Sequence, residues 1–208
     1  MSLSPGFIVA ILLALSVHEW AHGIVAYRLG DPTAKLEGRL TLNPLAHLDP
    51  LGTVMFLLVH FGWGKPVPVN PRYFRHQKRD MALVALAGPA SNLVLAFIVV
   101  ALGSLLPSLL FLPRPFFLLF QDILVSSLFL NLGLMAFNLL PIAPLDGSKV
   151  LHLFIPWRYD AKYEEFLRRG PYILLGLLIA ERLLGIPLIV WWITAIIDPV
   201  LRVMEAFL

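Results

Sequence analysis

A polytopic α-helical membrane protein is the fold class this sequence predicts, with about five transmembrane helices, a re-entrant segment and a small membrane-associated β-hairpin or sheet. Three observations lead there. Hydrophobic residues make up 59% of the chain and charged residues 14%, where soluble domains carry about 25% charged residues. Mean hydropathy is +0.82. Apolar runs long enough to cross a bilayer alternate with loops that collect the Lys and Arg residues. A single integral-membrane domain over residues 1–208 is expected, with a core at about 5–150 and a C-terminal helical hairpin at about 171–208. There is no cysteine, which excludes disulfides and thiolate metal ligands. The basic residues flank apolar segments as in membrane loops, so nothing points to a nucleic-acid partner. The first residues lack the basic stretch of a cleaved signal peptide, and the first apolar run is expected to be retained.

The first element is a helix over about Pro5–Arg28, stopped by Gly30 and Pro32. It carries His18-Glu19-Trp20-Ala21-His22. At 3.6 residues per turn the two histidines share a face one turn apart, so both imidazoles can reach one metal ion. Glu19 follows the first of them, where a carboxylate can take a proton from water without being a ligand. Ionisable groups inside an apolar span are expensive in lipid and mark a functional site by default.

Residues 36–42 alternate Leu36, Gly38, Leu40 and Leu42 with Glu37, Arg39 and Thr41, the pattern of a short strand. His47 lies between the turns at Asn43-Pro44 and Asp49-Pro50, as a structural residue or one that approaches the metal site. Leu51–Trp63 is apolar but shorter than the ~20 residues a crossing needs, hence a re-entrant or interfacial segment. Residues 65–70 form a second candidate strand, confined by Pro66 and Pro68 to a sheet edge. Met81–Leu106 can span. Within it Gly88-Pro89-Ala90-Ser91-Asn92 combines a proline kink with small residues for close packing, and Asn92 needs a polar partner at depth, either another helix or substrate. Pro107–Gln121 reads as a turn region and Asp122–Leu140 as the next span, with Asn131 and Asn138 on one face. Pro141 and Pro144 break that helix ahead of Asp146-Gly147.

A zinc site on two histidines needs a third protein ligand. Asp146 is favoured because non-helical backbone at membrane depth usually lines a cavity; Asp31, Asp49 and Asp80 are its rivals. After the mixed connector 148–170, Pro171–Leu184 and Pro187–Leu208 read as two spans turning at Gly185, with one long tilted helix as the alternative.

His18-Glu19-x-x-His22, Gly88-Pro89-x-x-Asn92 and Asn138-x-x-Pro141-x-x-Pro144-Leu145-Asp146-Gly147 stand in this order. Together they resemble the site-2 protease family of intramembrane zinc metalloproteases, and residues 38–52 are similar to those of compact prokaryotic members. The resemblance covers about Leu15–Val150. It implies one Zn²⁺ per chain on His18, His22 and Asp146, Glu19 as general base, and Asn138 holding the substrate or its oxyanion. It implies regulated intramembrane proteolysis of transmembrane protein substrates in a prokaryotic inner or plasma membrane. The expectation is a compact member without the PDZ or CBS domains of many relatives and with the metal motif on its first span. A metal transporter or zinc-binding scaffold is the rival class, but it would spread its ionisable groups along a path instead of gathering them at one place.

Topology follows from the same residues. If Leu51–Trp63 crossed the membrane, His22 and Asp146 would lie toward opposite faces. If it dips and returns, residues 28–80, with eight Lys and Arg, join residues 148–170, with five, and Arg202 on one side, leaving Arg114 and Arg182 on the other. The positive-inside rule makes the richer side cytoplasmic. The expectation is an N-terminus outside, a C-terminus inside and a metal site toward the cytoplasm.

Overall fold

The computed structural model describes residues 4–59 and 62–206. Three of its helices are long and apolar enough to cross a membrane: α1 (Pro5–Arg28), α5 (Gln77–Gly103) and α6 (Arg114–Asn138). The chain is a helical membrane protein. Ser4 caps α1 by accepting the Phe7 N–H (3.1 Å), with Pro5 in the first turn, where its missing N–H is not needed. Ala10, Ala14, Ala21 and Ala26 of α1 are buried, as are Ala82, Ala85, Gly88 and Ala96 of α5. Small faces of this kind let helix backbones approach where lipid offers no hydrophobic drive. The three helices pack on one another, and the Asp122 carboxylate near the start of α6 accepts the Gly6 N–H of α1 (3.1 Å). Pro89 does not interrupt α5.

Between α1 and α5 run three short helices, α2 (Thr33–Leu36), α3 (Pro44–His47) and α4 (Pro50–Val59). The segment that holds α4 leaves the bundle and returns to the place it left. Leu48 and Gly64 form an isolated antiparallel bridge, so the excursion starts and ends side by side. Leu15 of α1 packs against Gly64, while Phe56 of α4 stacks on Phe7 with ring centroids 6.1 Å apart. The segment therefore travels along α1 from the level of Leu15 to that of Phe7, roughly 12 Å, and comes back. His60 and Phe61, which the expected segment includes, lie outside the described residues.

The expected β-hairpin is a correction. Among the described residues there is no strand at 36–42 or 65–70. Leu36 is 79% exposed and Leu42 54%, whereas Arg39 is 8% exposed, so the alternation is turned inside out. Gly38 has a φ of +65°, which bends the chain after α2. Pro66 and Pro68 carry no N–H for a ladder.

The C-terminal part also departs from expectation. A seven-residue helix, α7 (Asp146–His152), follows the break after α6. Then α8 (Asp160–Leu184) runs straight through Pro171 and ends at Gly185, whose φ of +67° suits a glycine cap. The next helix, α9 (Leu188–Glu205), is bent from it by 101°, so the two make a right-angled pair and not a hairpin of two spans. Three contacts explain the turn. Met204 and its neighbours on α9 pack against Leu132 and Met135 of α6, and Trp192 donates to the Ala136 carbonyl (2.9 Å). Glu181, an awkward residue for a span, accepts the Ile189 N–H (3.3 Å) in the first turn of α9. Three helices thus qualify as spans, or four if the bent pair counts as one, where about five were expected.

Candidate active site

α1, α5 and the α6–α7 break meet around one polar cluster. His18 and His22 project from α1 one turn apart, and Asp146 reaches them from the first turn of α7. All three are buried. Asp146 Oδ2 lies 3.2 Å from His18 Nε2 and 3.1 Å from His22 Nε2, and the two Nε2 atoms are 3.0 Å apart. A tetrahedral ion with bonds of about 2.0–2.1 Å sets its ligand atoms roughly 3.3 Å apart. The triangle is close to one face of such a tetrahedron.

The proton inventory agrees. His22 Nδ1 faces the Val84 carbonyl (2.7 Å), which can only accept, so the proton sits on Nδ1 and the Nε2 lone pair is free. His18 Nδ1 faces Asn92 Oδ1 (2.6 Å), while Asn92 Nδ2 donates to Asn131 Oδ1 (2.8 Å) and to the Ala14 carbonyl (3.3 Å). That orientation makes His18 a donor through Nδ1 as well. Two lone pairs and a carboxylate oxygen then converge on one point, an arrangement that repels itself unless a cation stands there. The second oxygen, Asp146 Oδ1, is 3.3 Å from Lys149 Nζ on the same helix.

Two glycines permit this closeness. A Cβ on Gly88 would come within 2.5 Å of His22 Nε2 and 2.6 Å of His18 Nε2. One on Gly147 would meet the Leu139 carbonyl at 2.2 Å, where α7 doubles back onto the end of α6.

Glu19 is half-buried beside the triad, and its Oε2 accepts the Val67 N–H (2.8 Å). A cleft of about 270 Å³ opens over His18, His22 and Asp146 and is lined also by Glu19, Asn138 and Lys149. Asn138 gives one amide hydrogen to the Leu134 carbonyl (3.0 Å), which leaves the second hydrogen and its oxygen for the cleft.

The rival carboxylates are used elsewhere. Asp31 accepts the N–H groups of Thr33 (3.0 Å) and Asn70 (2.7 Å), Asp49 accepts that of Gly52 (2.7 Å), and Asp80 accepts that of His76 (2.9 Å). His47 is buried away from the triad and donates through Nε2 to the Thr41 carbonyl (2.8 Å). Lys149 and Val67 did not stand out in the sequence, and Asn131 did so only as a residue sharing a face with Asn138.

Comparison with known proteins decides the affiliation. The chain is 41% identical over 180 residues to Putative zinc metalloprotease YwhC of Bacillus subtilis, covering 86% of this chain and 82% of that protein. It belongs to this family of zinc metalloproteases. Putative zinc metalloprotease Rip2 of Mycolicibacterium smegmatis and that of Mycobacterium tuberculosis are each 34% identical over 146 residues, covering 67% of this chain and 53% of theirs. No family model and no solved structure matches the chain. Zinc is accordingly the cofactor of the family member described here, and His18, His22 and Asp146 form the one group of metal-binding side chains among the described residues.

Proposed function

We propose that the chain is an intramembrane zinc metallopeptidase of the site-2 type, which hydrolyses peptide bonds within or near transmembrane segments of membrane-protein substrates. One observation carries the reading: a three-ligand triad with a free carboxylate beside it, facing a cleft inside a bundle of lipid-length helices. His22 stands six residues before the end of α1, on the order of 9 Å along the helix. The site is thus below the surface, toward the side where Arg28, Lys65 and the other basic loop residues collect, which the positive-inside rule makes cytoplasmic.

Zinc held by His18, His22 and Asp146 would supply an activated water and polarise the scissile carbonyl. The protein does the rest. His18 and His22 are held in one tautomer each by Asn92 and the Val84 carbonyl, so neither ring has to reorganise. Glu19 accepts the proton of the attacking water and returns it to the leaving amine. Asn138 donates its remaining amide hydrogen to the carbonyl oxygen as charge develops there. A helical substrate must unwind before its carbonyl can enter, because intrahelical hydrogen bonds otherwise occupy it.

The test is cleavage of a single-span membrane protein in proteoliposomes by wild type and Glu19→Gln. Wild type should cleave it, and the variant should keep about one zinc per chain and lose cleavage. No cleavage by wild type would refute the peptidase reading, and cleavage by Glu19→Gln at the wild-type rate would take the base role from Glu19.

A further inference from the structure

Residues 65–70 lie across the cleft as open chain, and the hydrogen bonds that hold them are all internal. The Lys65 N–H donates to the His47 carbonyl (2.8 Å). Arg39, almost fully buried, sends Nη2 to the carbonyls of Lys65 (2.8 Å) and Pro66 (3.2 Å). At the other end the Asn70 N–H donates to Asp31 Oδ2 (2.7 Å), and Asp31, completely buried, is itself tied to the end of α1 through its N–H on the Ala26 carbonyl (2.9 Å). Between these anchors Pro66 and Pro68 offer no donor. Val67 therefore has the one N–H over the cleft between them, and it points at Glu19 Oε2 (2.8 Å).

We propose that residues 65–70 are a strap whose Val67 N–H aims the Glu19 carboxylate, and that Arg39 and Asp31 are positioning residues that act on Glu19 through this strap. The inference rests on the function proposed above for Glu19. A glutamate carboxylate turns easily about its last torsion. A backbone donor on Oε2 stops that rotation and leaves Oε1 as the free oxygen beside the triad. The geometry also accounts for two buried polar side chains, Arg39 and Asp31, whose hydrogen bonds reach this strap. A guanidinium buried on two carbonyls, with no carboxylate bonded to it, holds a backbone and not a charge. The same arrangement argues against this segment as an edge on which a substrate strand pairs: its prolines lack donors, and the Lys65 and Val67 donors are already used.

The contact can be read without any substrate. Because Pro66 and Pro68 have no amide hydrogen, hydrogen–deuterium exchange of a 62–72 peptide from the full zinc-loaded chain in detergent reports few amides, Val67 among them. Val67 should be protected in wild type and in Glu19→Gln, which keeps an acceptor, and should exchange fast in Glu19→Ala. Protection unchanged in Glu19→Ala would overturn the proposal. The consequence is read with a fluorogenic single-span peptide of apolar residues. Val67→Pro deletes the donor in a stretch that is already proline-rich and should lower kcat roughly 10- to 100-fold, with zinc content and KM unchanged. Val67→Ala, which keeps the donor, should lower kcat far less than Val67→Pro does. Arg39→Leu deletes both bonds to the Lys65 and Pro66 carbonyls and should lower kcat with faster exchange at 65–70. Equal kcat for Val67→Pro and Val67→Ala would overturn the proposal. So would a rise in KM alone, which would make the strap a substrate edge. No cleavage by wild type would sink the peptidase reading and cleavage by Glu19→Gln the base role of Glu19, whereas a dead Glu19→Gln beside a fully active Val67→Pro would sink the strap alone.

Discussion

Asn92→Leu is the substitution that tests how the metal centre is held. The side chain is fully buried and has three partners: His18 Nδ1 at 2.6 Å, Asn131 Oδ1 at 2.8 Å and the Ala14 carbonyl at 3.3 Å. Leucine has the same branching and the same number of side-chain heavy atoms but no polar atom, so the change removes hydrogen bonds and leaves no void. The effect divides in two. Loss of the His18 contact frees the ring to rotate or change tautomer, and such outer contacts are typically worth about 10- to 100-fold in metal affinity, or roughly 1.4–2.7 kcal/mol. Loss of the other two contacts loosens α5 against α1 and α6 by about 0.6 kcal/mol each, the average for hydrogen bonds between membrane helices. The histidine term should dominate. Zinc affinity measured by chelator competition on folded protein in detergent should fall by that factor, while helix content and the metal-free melting temperature change little. Asn92→Asp, which keeps the acceptor for His18, should bind zinc more tightly than Asn92→Leu. Wild-type zinc affinity in folded Asn92→Leu would refute the reasoning, because His18 would then need no orienting partner.

Further outcomes follow from the same geometry. Asp146→Ala should weaken zinc binding by chelator competition, while Asp49→Ala should leave it intact; full zinc occupancy in Asp146→Ala would remove Asp146 from the site. Asn138→Ala should lower kcat without changing zinc content, by at most the 2.7–4 kcal/mol or so that an oxyanion donor contributes; normal turnover would make Asn138 a packing residue. Orientation can be read by cysteine labelling, since the chain has no cysteine of its own. Cysteines at Gln77 and Ala161 should react only from the cytoplasm and one at Leu110, in the turn between α5 and α6, only from outside. Labelling of position 77 from outside would overturn the topology.

What the sequence determined by itself was local or periodic. The pairing of His18 with His22 needs nothing but a helix, and an apolar run of that length in lipid is helical because every backbone group must be satisfied internally. The break at Pro141 and Pro144 and the short reach of Leu51–Trp63 were equally legible, since proline chemistry and chain length do not depend on neighbours. The strand at 36–42 misled for a definite reason. Alternation signals a strand when apolar side chains turn inward from water, but around this fold the outer medium is lipid as well as water. Leu36 and Leu42 can face outward while Arg39 turns in to bind carbonyls. The C-terminal bend was hidden because the partner that captures α9 is α6, some fifty residues away in the chain. The sequence favoured Asp146 among four aspartates and the packed helices bring it to the histidines, while tertiary structure alone decided that Asn92 serves His18 and that the Val67 N–H serves Glu19. Each of these contacts joins residues 48 or more positions apart. A hydrogen bond over that separation leaves no period and no spacing in the sequence, and exists only once the helices have packed.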